Sequence, residues 1–125
     1  RFPTDLKLRL ELGEHYLEQG KVTEAIKELQ RAQANTNVKP RAQKLLADCF
    51  CKRGMLDLAE RTLQSAIKDK TVFDDEKKDL VYSLGSVLEQ SGKPTEAIEQ
   101  FKLIYEVDID FKDVGDKVDQ YYSSL

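Results

Sequence analysis

The segment LGEHYLEQGKVTEAIKEL at residues 12–29 is the first of three similar segments in the chain. The other two are LADCFCKRGMLDLAERTL at 46–63 and LGSVLEQSGKPTEAIEQF at 84–101, so successive copies are offset by 34 and 38 residues. Each copy has a small residue near its start, a glycine in the middle, then an alanine, and a large apolar residue at its end. Agreement at several positions in one register indicates a repeat architecture.

Each aligned position has a mechanical reason in a pair of packed helices. The middle glycine is predicted to end the first helix, because glycine adopts the left-handed conformation of a helix C-terminus without strain. The polar residue three positions later is predicted to be the N-cap of the second helix. The small residues allow the two helices to cross closely. These positions are Gly20, Gly54 and Gly92 for the helix ends, Thr23, Asp57 and Thr95 for the N-caps, and Gly13, Ala47, Gly85, Ala25, Ala59 and Ala97 for the crossings.

The pattern predicts an all-helical chain. We expect helices at about 4–19, 23–35, 40–53, 57–69, 75–91, 95–107 and 111–123, with boundaries uncertain by two to four residues. Four extra residues separate the second and third copies, within residues 68–78. They are expected to add about one turn to a flanking helix, with Phe73 as an apolar plug between the two helices. The alternative is an exposed Phe73 in a mobile linker.

In these positions the chain resembles the tetratricopeptide repeat family. The matching residues are Leu12, Gly13, Tyr16, Ala25 and Leu29, then Leu46, Ala47, Phe50, Ala59 and Leu63, then Leu84, Gly85, Leu88, Ala97 and Phe101. The family's opening aromatic residue is replaced by Arg9, Gln43 and Val81, and its closing proline by Asn37, Thr71 and Ile109. The resemblance implies an all-α fold, a right-handed α-solenoid of three helix-turn-helix repeats. The tail at 105–114 is similar to that of bacterial proteins of this kind, which implies a bacterial source.

The whole chain, 1–125, is expected to form a single domain with repeats at about 6–39, 40–73 and 78–110. Residues 111–123 are predicted to form a C-terminal capping helix, because their apolar residues follow helical spacing and a terminal repeat leaves an apolar face open. The stripe consists of Phe111, Val114, Val118, Tyr121 and Tyr122. The alternative is that this is the first helix of a fourth repeat whose partner lies beyond Leu125.

Charge and hydropathy exclude two classes of partner. Twenty Lys and Arg face 23 Asp and Glu, and the basic residues form no stripe, so we expect no nucleic-acid binding. No apolar run approaches the roughly 20 residues that would cross a bilayer, so no direct membrane insertion of this segment is expected. Two cysteines fit a reduced, cytoplasmic protein. Because the chain begins with Arg1, we expect it to be a piece of a longer protein.

Candidate catalytic groups are few, so we predict no enzyme activity, no cofactor and no metal site. His15 is the only histidine, and Cys49 occupies the equivalent position one repeat later. The two could approach one another, but no third group is evident to orient a reactive pair. The segment from Gly92 to Thr95 lacks the earlier glycine of a phosphate-binding loop, and Pro94 removes an amide donor. We interpret that segment as a helix connector.

The resemblance also implies a ligand groove lined by the first helix of each repeat. Carried over from the family, the groove positions are Lys7, Leu10, Glu14, Leu17, Arg41, Lys44, Asp48, Cys51, Asp79, Tyr82, Ser86 and Glu89. We expect Tyr82, Leu10 and Leu17 to anchor the ligand and Arg41 and Lys44 to orient it, although Tyr82 packed between helices is nearly as well supported. The family's cationic clamp for peptide carboxylates is not matched, because its positions here are Leu10, Glu14, Leu45, Asp79 and Ser83.

Two functions follow from this reading. The first is a non-catalytic scaffold that binds a peptide or a partner protein in the concave groove. The alternative is a structural spacer or self-assembly segment of a longer repeat array, in which the C-terminal helix joins copies into a homo-oligomer.

Overall fold

The computed structural model describes residues 5–125, and within them the chain forms seven helices and no strand. The all-α prediction is therefore confirmed. The helices are α1 (Leu6–Glu18), α2 (Val22–Ala32), α3 (Lys39–Lys52), α4 (Leu56–Asp69), α5 (Asp75–Gln90), α6 (Pro94–Tyr105) and α7 (Val114–Ser123). The chain divides into two compact units, the first ending at Asp69 and the second running over Lys70–Leu125.

The first unit consists of two helix pairs. Helix α1 packs on α2 and α3 on α4, while α2 and, to a smaller extent, α1 also contact α3. The core between them contains Leu10, Ala25, Leu29, Ala32, Ala42, Leu45, Leu46 and Cys49. Alanine and leucine dominate this set, as expected where two helices cross at short distance.

The second unit contains one helix pair and a terminal helix. Helix α6 lies at its centre and packs against both α5 and α7. The largest fully buried side chains of the second unit are Phe101, Leu80, Ile104, Val81 and Val114. Of the predicted apolar stripe, Val114 and Val118 are the buried residues of α7, whereas Tyr122 is 54% exposed.

The glycines that separate the two helices of each pair adopt the predicted left-handed conformation. Gly20, Gly54 and Gly92 have φ angles of 79°, 74° and 75°. At the end of α1 the amide of Gly20 donates to Leu17 and that of Lys21 to Tyr16, which satisfies carbonyls that the helix itself leaves unpaired. The chain reverses at these glycines through the backbone conformation and backbone hydrogen bonds.

The predicted N-caps are wrong by two residues. Lys21 precedes α2 and Lys93 precedes α6, and neither caps its helix with a side-chain hydrogen bond. The second helix of each pair begins as soon as the glycine has reversed the chain, so Thr23 lies one position inside α2. Its hydroxyl instead accepts a hydrogen bond from the Arg53 guanidinium at the end of α3.

Two other predicted boundaries differ from the structure by three residues. Helix α2 ends at Ala32 and not at 35, and α7 begins at Val114 and not at 111. Lys112, just before α7, has a φ of 46°, a left-handed conformation that interrupts a regular helix. The expected start of the first helix at residue 4 lies outside the described residues.

The four extra residues lengthen the helices on either side of residue 70. Helix α4 has 14 residues where α2 has 11, and α5 has 16 where α3 has 14. The short segment before α5 is held by Lys70, whose ammonium group lies 3.1 Å from Asp74 and 2.8 Å from Glu76. Phe73 is half-buried, with the Lys77 ammonium 5.8 Å from its ring centre.

Candidate functional site

The predicted groove positions of the first unit lie on α1 and α3, and most of their charges are paired with one another. The Arg41 guanidinium on α3 donates to the Glu14 carboxylate on α1. On α3 itself, the ammonium of Lys44 lies 3.7 Å from the carboxylate of Asp48. Lys7 is exposed on the first turn of α1. The surface is therefore close to neutral around the two pairs.

The apolar residues of this surface differ in how much of each side chain is accessible to a ligand. Leu10 is only 7% exposed and belongs to the core of the unit, so little of it remains for the predicted anchoring role. Leu17 and Cys51 are half-buried, and Leu17 packs against the same core. We name Leu17, Cys51 and the ion pairs Glu14–Arg41 and Lys44–Asp48 the α1/α3 surface.

In the second unit, the predicted groove positions on α5 contact the segment at residues 112–117. The ammonium of Lys112 lies 3.1 Å from the Asp79 carboxylate, and that of Lys117 lies 3.3 Å from Glu89. The Tyr82 hydroxyl donates a hydrogen bond to Asp113. Ser86 is half-buried between these contacts along the helix. These α5 side chains are engaged within the chain itself.

Tyr82 lies in a small aromatic cluster. Its ring meets Phe101 edge-on at a centroid distance of 5.3 Å and Phe111 at 6.4 Å, and the Lys112 ammonium lies 4.9 Å from its ring centre. Burial, together with the hydrogen bond to Asp113, raises the pKa of Tyr82 to about 12. These contacts favour the packing interpretation of Tyr82 over the anchoring one.

This environment predicts that one tyrosine titrates late. The phenol of Tyr82 should lose its proton near pH 12, whereas an ordinary tyrosine does so near pH 10. Because the folded chain holds the protonated form more tightly, this contribution to stability is complete below pH 10 and is lost as the pH rises towards 12. Ultraviolet absorbance of the phenolates should resolve a separate late step while circular dichroism confirms that the chain is still folded.

Two variants identify the source of the late step. Tyr82→Phe should abolish it, whereas Tyr122→Phe, which alters a side chain 54% exposed, should leave it in place. A late step that survives in Tyr82→Phe would contradict the assignment.

The thiols are poorly suited to nucleophilic chemistry. Burial raises the pKa of Cys49 to about 11, and burial likewise raises the pKa of Cys51. A protonated thiol is a weak nucleophile and a poor metal ligand. His15 is exposed, whereas Cys49 is fully buried.

Among residues 5–125, no three or more His, Cys, Asp or Glu side chains are grouped so that they could hold a metal ion. Over that part of the chain, no helix combines the length and apolar character needed to cross a membrane.

Sequence reasoning missed the residues that contact α5, namely Lys112, Asp113 and Lys117. The signal was present in the charges: lysines at 112 and 117 complement the carboxylates of Asp79 and Glu89 on α5. The pairing was not evident because residues 112–117 do not belong to the repeat pattern.

Solved structures share this arrangement of helices. The crystal structure of MamA superposes with a TM-score of 0.79 over 98% of this chain and 69% of that chain, at 24% identity. The first TPR of Spaghetti (RPAP3), solved bound to the HSP90 peptide SRMEEVD, superposes with a TM-score of 0.78 at 17% identity, covering 96% of this chain and 94% of that one. At these identities the likeness shows the fold alone. No curated protein sequence matches the chain significantly.

Family models match the sequence in two consecutive stretches. One model described as tetratricopeptide repeat matches residues 1–49, and a second with the same description matches residues 52–110. The matches contain the first and third sequence repeats, and the second repeat except for Phe50 and Cys51. The helix pairs α1–α2, α3–α4 and α5–α6 are the units that such repeats build. The chain therefore belongs to the tetratricopeptide repeat family.

Proposed function

We propose that this chain is a non-catalytic scaffold that holds a segment of a partner protein on the α1/α3 surface. Tetratricopeptide repeats generally mediate interactions between proteins, and the family match covers the helices that form this surface. The observation that carries the proposal is the pairing of Glu14 with Arg41 and of Lys44 with Asp48 beside the half-buried Leu17 and Cys51. Such a surface offers hydrogen bonds at fixed positions and a modest apolar area.

The charge pairing also indicates the chemistry of the partner. A strongly acidic or basic segment would have to break an ion pair in order to gain one, so a near-neutral segment with an apolar side chain fits best. A peptide carboxylate clamp is not supported. Of its positions, Leu10 and Leu45 are each 7% exposed, and Glu14 would repel an anion.

We expect fewer ligand contacts on α5 than on the α1/α3 surface. Asp79, Tyr82 and Glu89 already contact residues 112–117, and a ligand there would compete with Lys112, Asp113 and Lys117. We therefore assign the main contacts to the first unit and treat the α5 positions as secondary.

Charge reversal at Arg41 tests the proposal. In Arg41→Glu a second carboxylate would stand beside Glu14, and we expect capture of the partner from source lysate to fall at least about tenfold, the loss typical of a binding hot spot. The matched control is Arg31→Glu on α2. Arg31 is a similarly exposed arginine, with 58% of its side chain accessible against 51% for Arg41, and it too pairs with a glutamate.

Quantitative mass spectrometry of proteins retained on immobilised wild type and both variants measures the effect. If proteins retained by wild type and by Arg31→Glu are lost from Arg41→Glu alone, the result supports the α1/α3 surface as the binding site. Retention by both variants, or equal loss from both, would contradict it, and thermal melting of each variant excludes unfolding as the cause.

A second function, self-association, is favoured by exposed apolar residues in the second unit. Leu103 is 47% exposed, Val107 59%, Ile109 52% and Tyr122 54%. Sedimentation velocity at rising concentration distinguishes the two functions. A mass that rises with concentration, and that returns to the monomer value in Leu103→Lys, would favour an assembly segment over a scaffold for foreign partners.

The cysteines support a cytoplasmic location for this scaffold. Both thiols are free, Cys49 is fully buried and Cys51 is half-buried. Unpaired thiols persist most readily in a reducing compartment.

A further inference from the structure

The first unit has an open depression on a different face from the α1/α3 surface. It measures about 360 Å³, which falls within the usual size range of ligand pockets. Three helices contribute to its lining, which consists of Gln30, Gln33, Gln43, Leu46, Phe50, Leu58, Arg61, Thr62 and Ser65. Apolar and uncharged polar side chains dominate, and Arg61 is the one ionisable residue of this lining.

Gln43 has the most unusual environment in this lining. Its side chain is 5% exposed, and it is the buried polar residue of the described chain. Among residues 5–125 its amide makes no hydrogen bond to another residue. Because no fully enclosed side-chain nitrogen or oxygen there lacks a partner, the polar atoms of this amide are not fully enclosed. The amide therefore meets its surroundings through the depression that it lines.

The Gln43 amide therefore has a donor and an acceptor left for a group that enters the depression. In the sequence pattern Gln43 occupies the position of the family's opening aromatic residue, where an apolar side chain would serve packing better. An amide here is explained if something outside the chain pairs with it. A peptide group is the complementary partner, since it offers one donor and one acceptor.

The rest of the lining fits a peptide. Phe50 and Leu58 are half-buried and form an apolar surface on which one apolar side chain can rest. Arg61 is exposed and forms no ion pair with any residue of the described range, so it can receive an acidic side chain. No carboxylate lines the depression to repel such a residue.

This depression is separate from the α1/α3 surface. Residues of an α-helix are rotated by about 100° from one to the next, so Gln43, Leu46 and Phe50 lie on the side of α3 opposite Lys44 and Asp48. One helix thus carries two distinct surfaces.

We propose that this depression is a second binding site, which takes an extended, acidic peptide segment of a partner protein. The backbone of the segment pairs with the Gln43 amide, one apolar side chain lies against Phe50 and Leu58, and a neighbouring carboxylate reaches Arg61. Arg61 and the absence of lining carboxylates distinguish this occupant from the near-neutral one of the α1/α3 surface.

A display library of random short peptides, selected on the full chain, tests the site. We expect enriched sequences that combine an apolar residue with a nearby Asp or Glu. Synthetic copies of these peptides should bind Gln43→Leu about tenfold or more weakly than wild type by fluorescence polarisation, because the amide pairing is lost. Gln43→Leu should melt at the same or a higher temperature, because no hydrogen bond within the chain is lost and an apolar side chain replaces a polar one that is 5% exposed.

Two further variants complete the test. Arg61→Glu changes an exposed side chain without disturbing the core, and it should weaken the same peptides, whereas Arg41→Glu on the α1/α3 surface should leave them unaffected. Failure to enrich any peptide, or equal affinity for wild type, Gln43→Leu and Arg61→Glu, would overturn the site. Neither result bears on capture of a partner through Arg41.

Discussion

Replacing Phe101 by alanine is expected to lower the free energy of unfolding by about 3–5 kcal/mol, the usual cost of truncating a buried aromatic side chain. Phe101 is 1% exposed and lies where α5, α6 and the residues before and within α7 meet. Its ring is 5.3 Å from that of Tyr82, and the Lys117 ammonium lies 5.1 Å from its centre. Alanine would leave a cavity that these neighbours cannot fill without moving.

Urea denaturation followed by far-ultraviolet circular dichroism measures this loss. The matched control is Leu103→Ala, two positions along the same helix, where the side chain is 47% exposed and truncation should cost little. Near-ultraviolet circular dichroism should change in Phe101→Ala alone, because Tyr82 loses its edge-on neighbour. Equal stability of the two variants would mean that Phe101 is not at the core of the second unit.

Replacing Gly85 by alanine is expected to destabilise the chain by about 1–3 kcal/mol, as overpacking of a filled core does. A Cβ atom at Gly85 would lie 2.7 Å from both Cε1 and Cζ of Phe101. The ring is rigid and buried, so the helices must separate or the ring must leave its rotamer. This cost opposes the gain of about 1 kcal/mol that alanine brings to a helix interior, and we expect the clash to prevail.

The second repeat provides a matched rescue for this variant. Its equivalent positions hold Ala47 and Leu63, which are 2% and 0% exposed, so an alanine and a leucine can share this crossing. Gly85→Ala combined with Phe101→Leu recreates that pair. The double variant should be more stable than the sum of the single losses predicts, by about 0.5–3 kcal/mol. Strict additivity in urea denaturation would show that the ring contact is not what requires glycine.

Features set by local backbone geometry could be predicted from the sequence. The helix ends at Gly20, Gly54 and Gly92 were predicted correctly, because glycine commonly ends a helix in the left-handed conformation. The alanines at the crossings are buried as expected, with Ala25 and Ala59 both 0% exposed. The N-cap prediction was wrong because it assumed that every helix start needs a side-chain acceptor.

The surfaces could be predicted only in part, because they depend on contacts between distant residues. The family resemblance predicted Arg41 as a groove residue, but its pairing with Glu14 joins residues 27 apart in sequence. The contact between Tyr82 and Asp113 spans 31 residues and involves a segment outside the repeats. The depression around Gln43 depends on side chains of three helices. No local pattern contains that information.

Two cysteines separated by a single residue have different accessibility, and this makes the chain convenient for chemical labelling. Cys49 is fully enclosed in the core, whereas part of Cys51 reaches the surface of α3. The thiolate is the reactive species, and the raised pKa of Cys51 lowers the thiolate fraction at neutral pH. Alkylating reagents therefore attach to Cys51 faster in mildly alkaline buffer than at neutral pH. A fluorescent dye on Cys51 would stand beside Leu17 and the ion pairs of the α1/α3 surface, where it reports occupancy without any engineered residue.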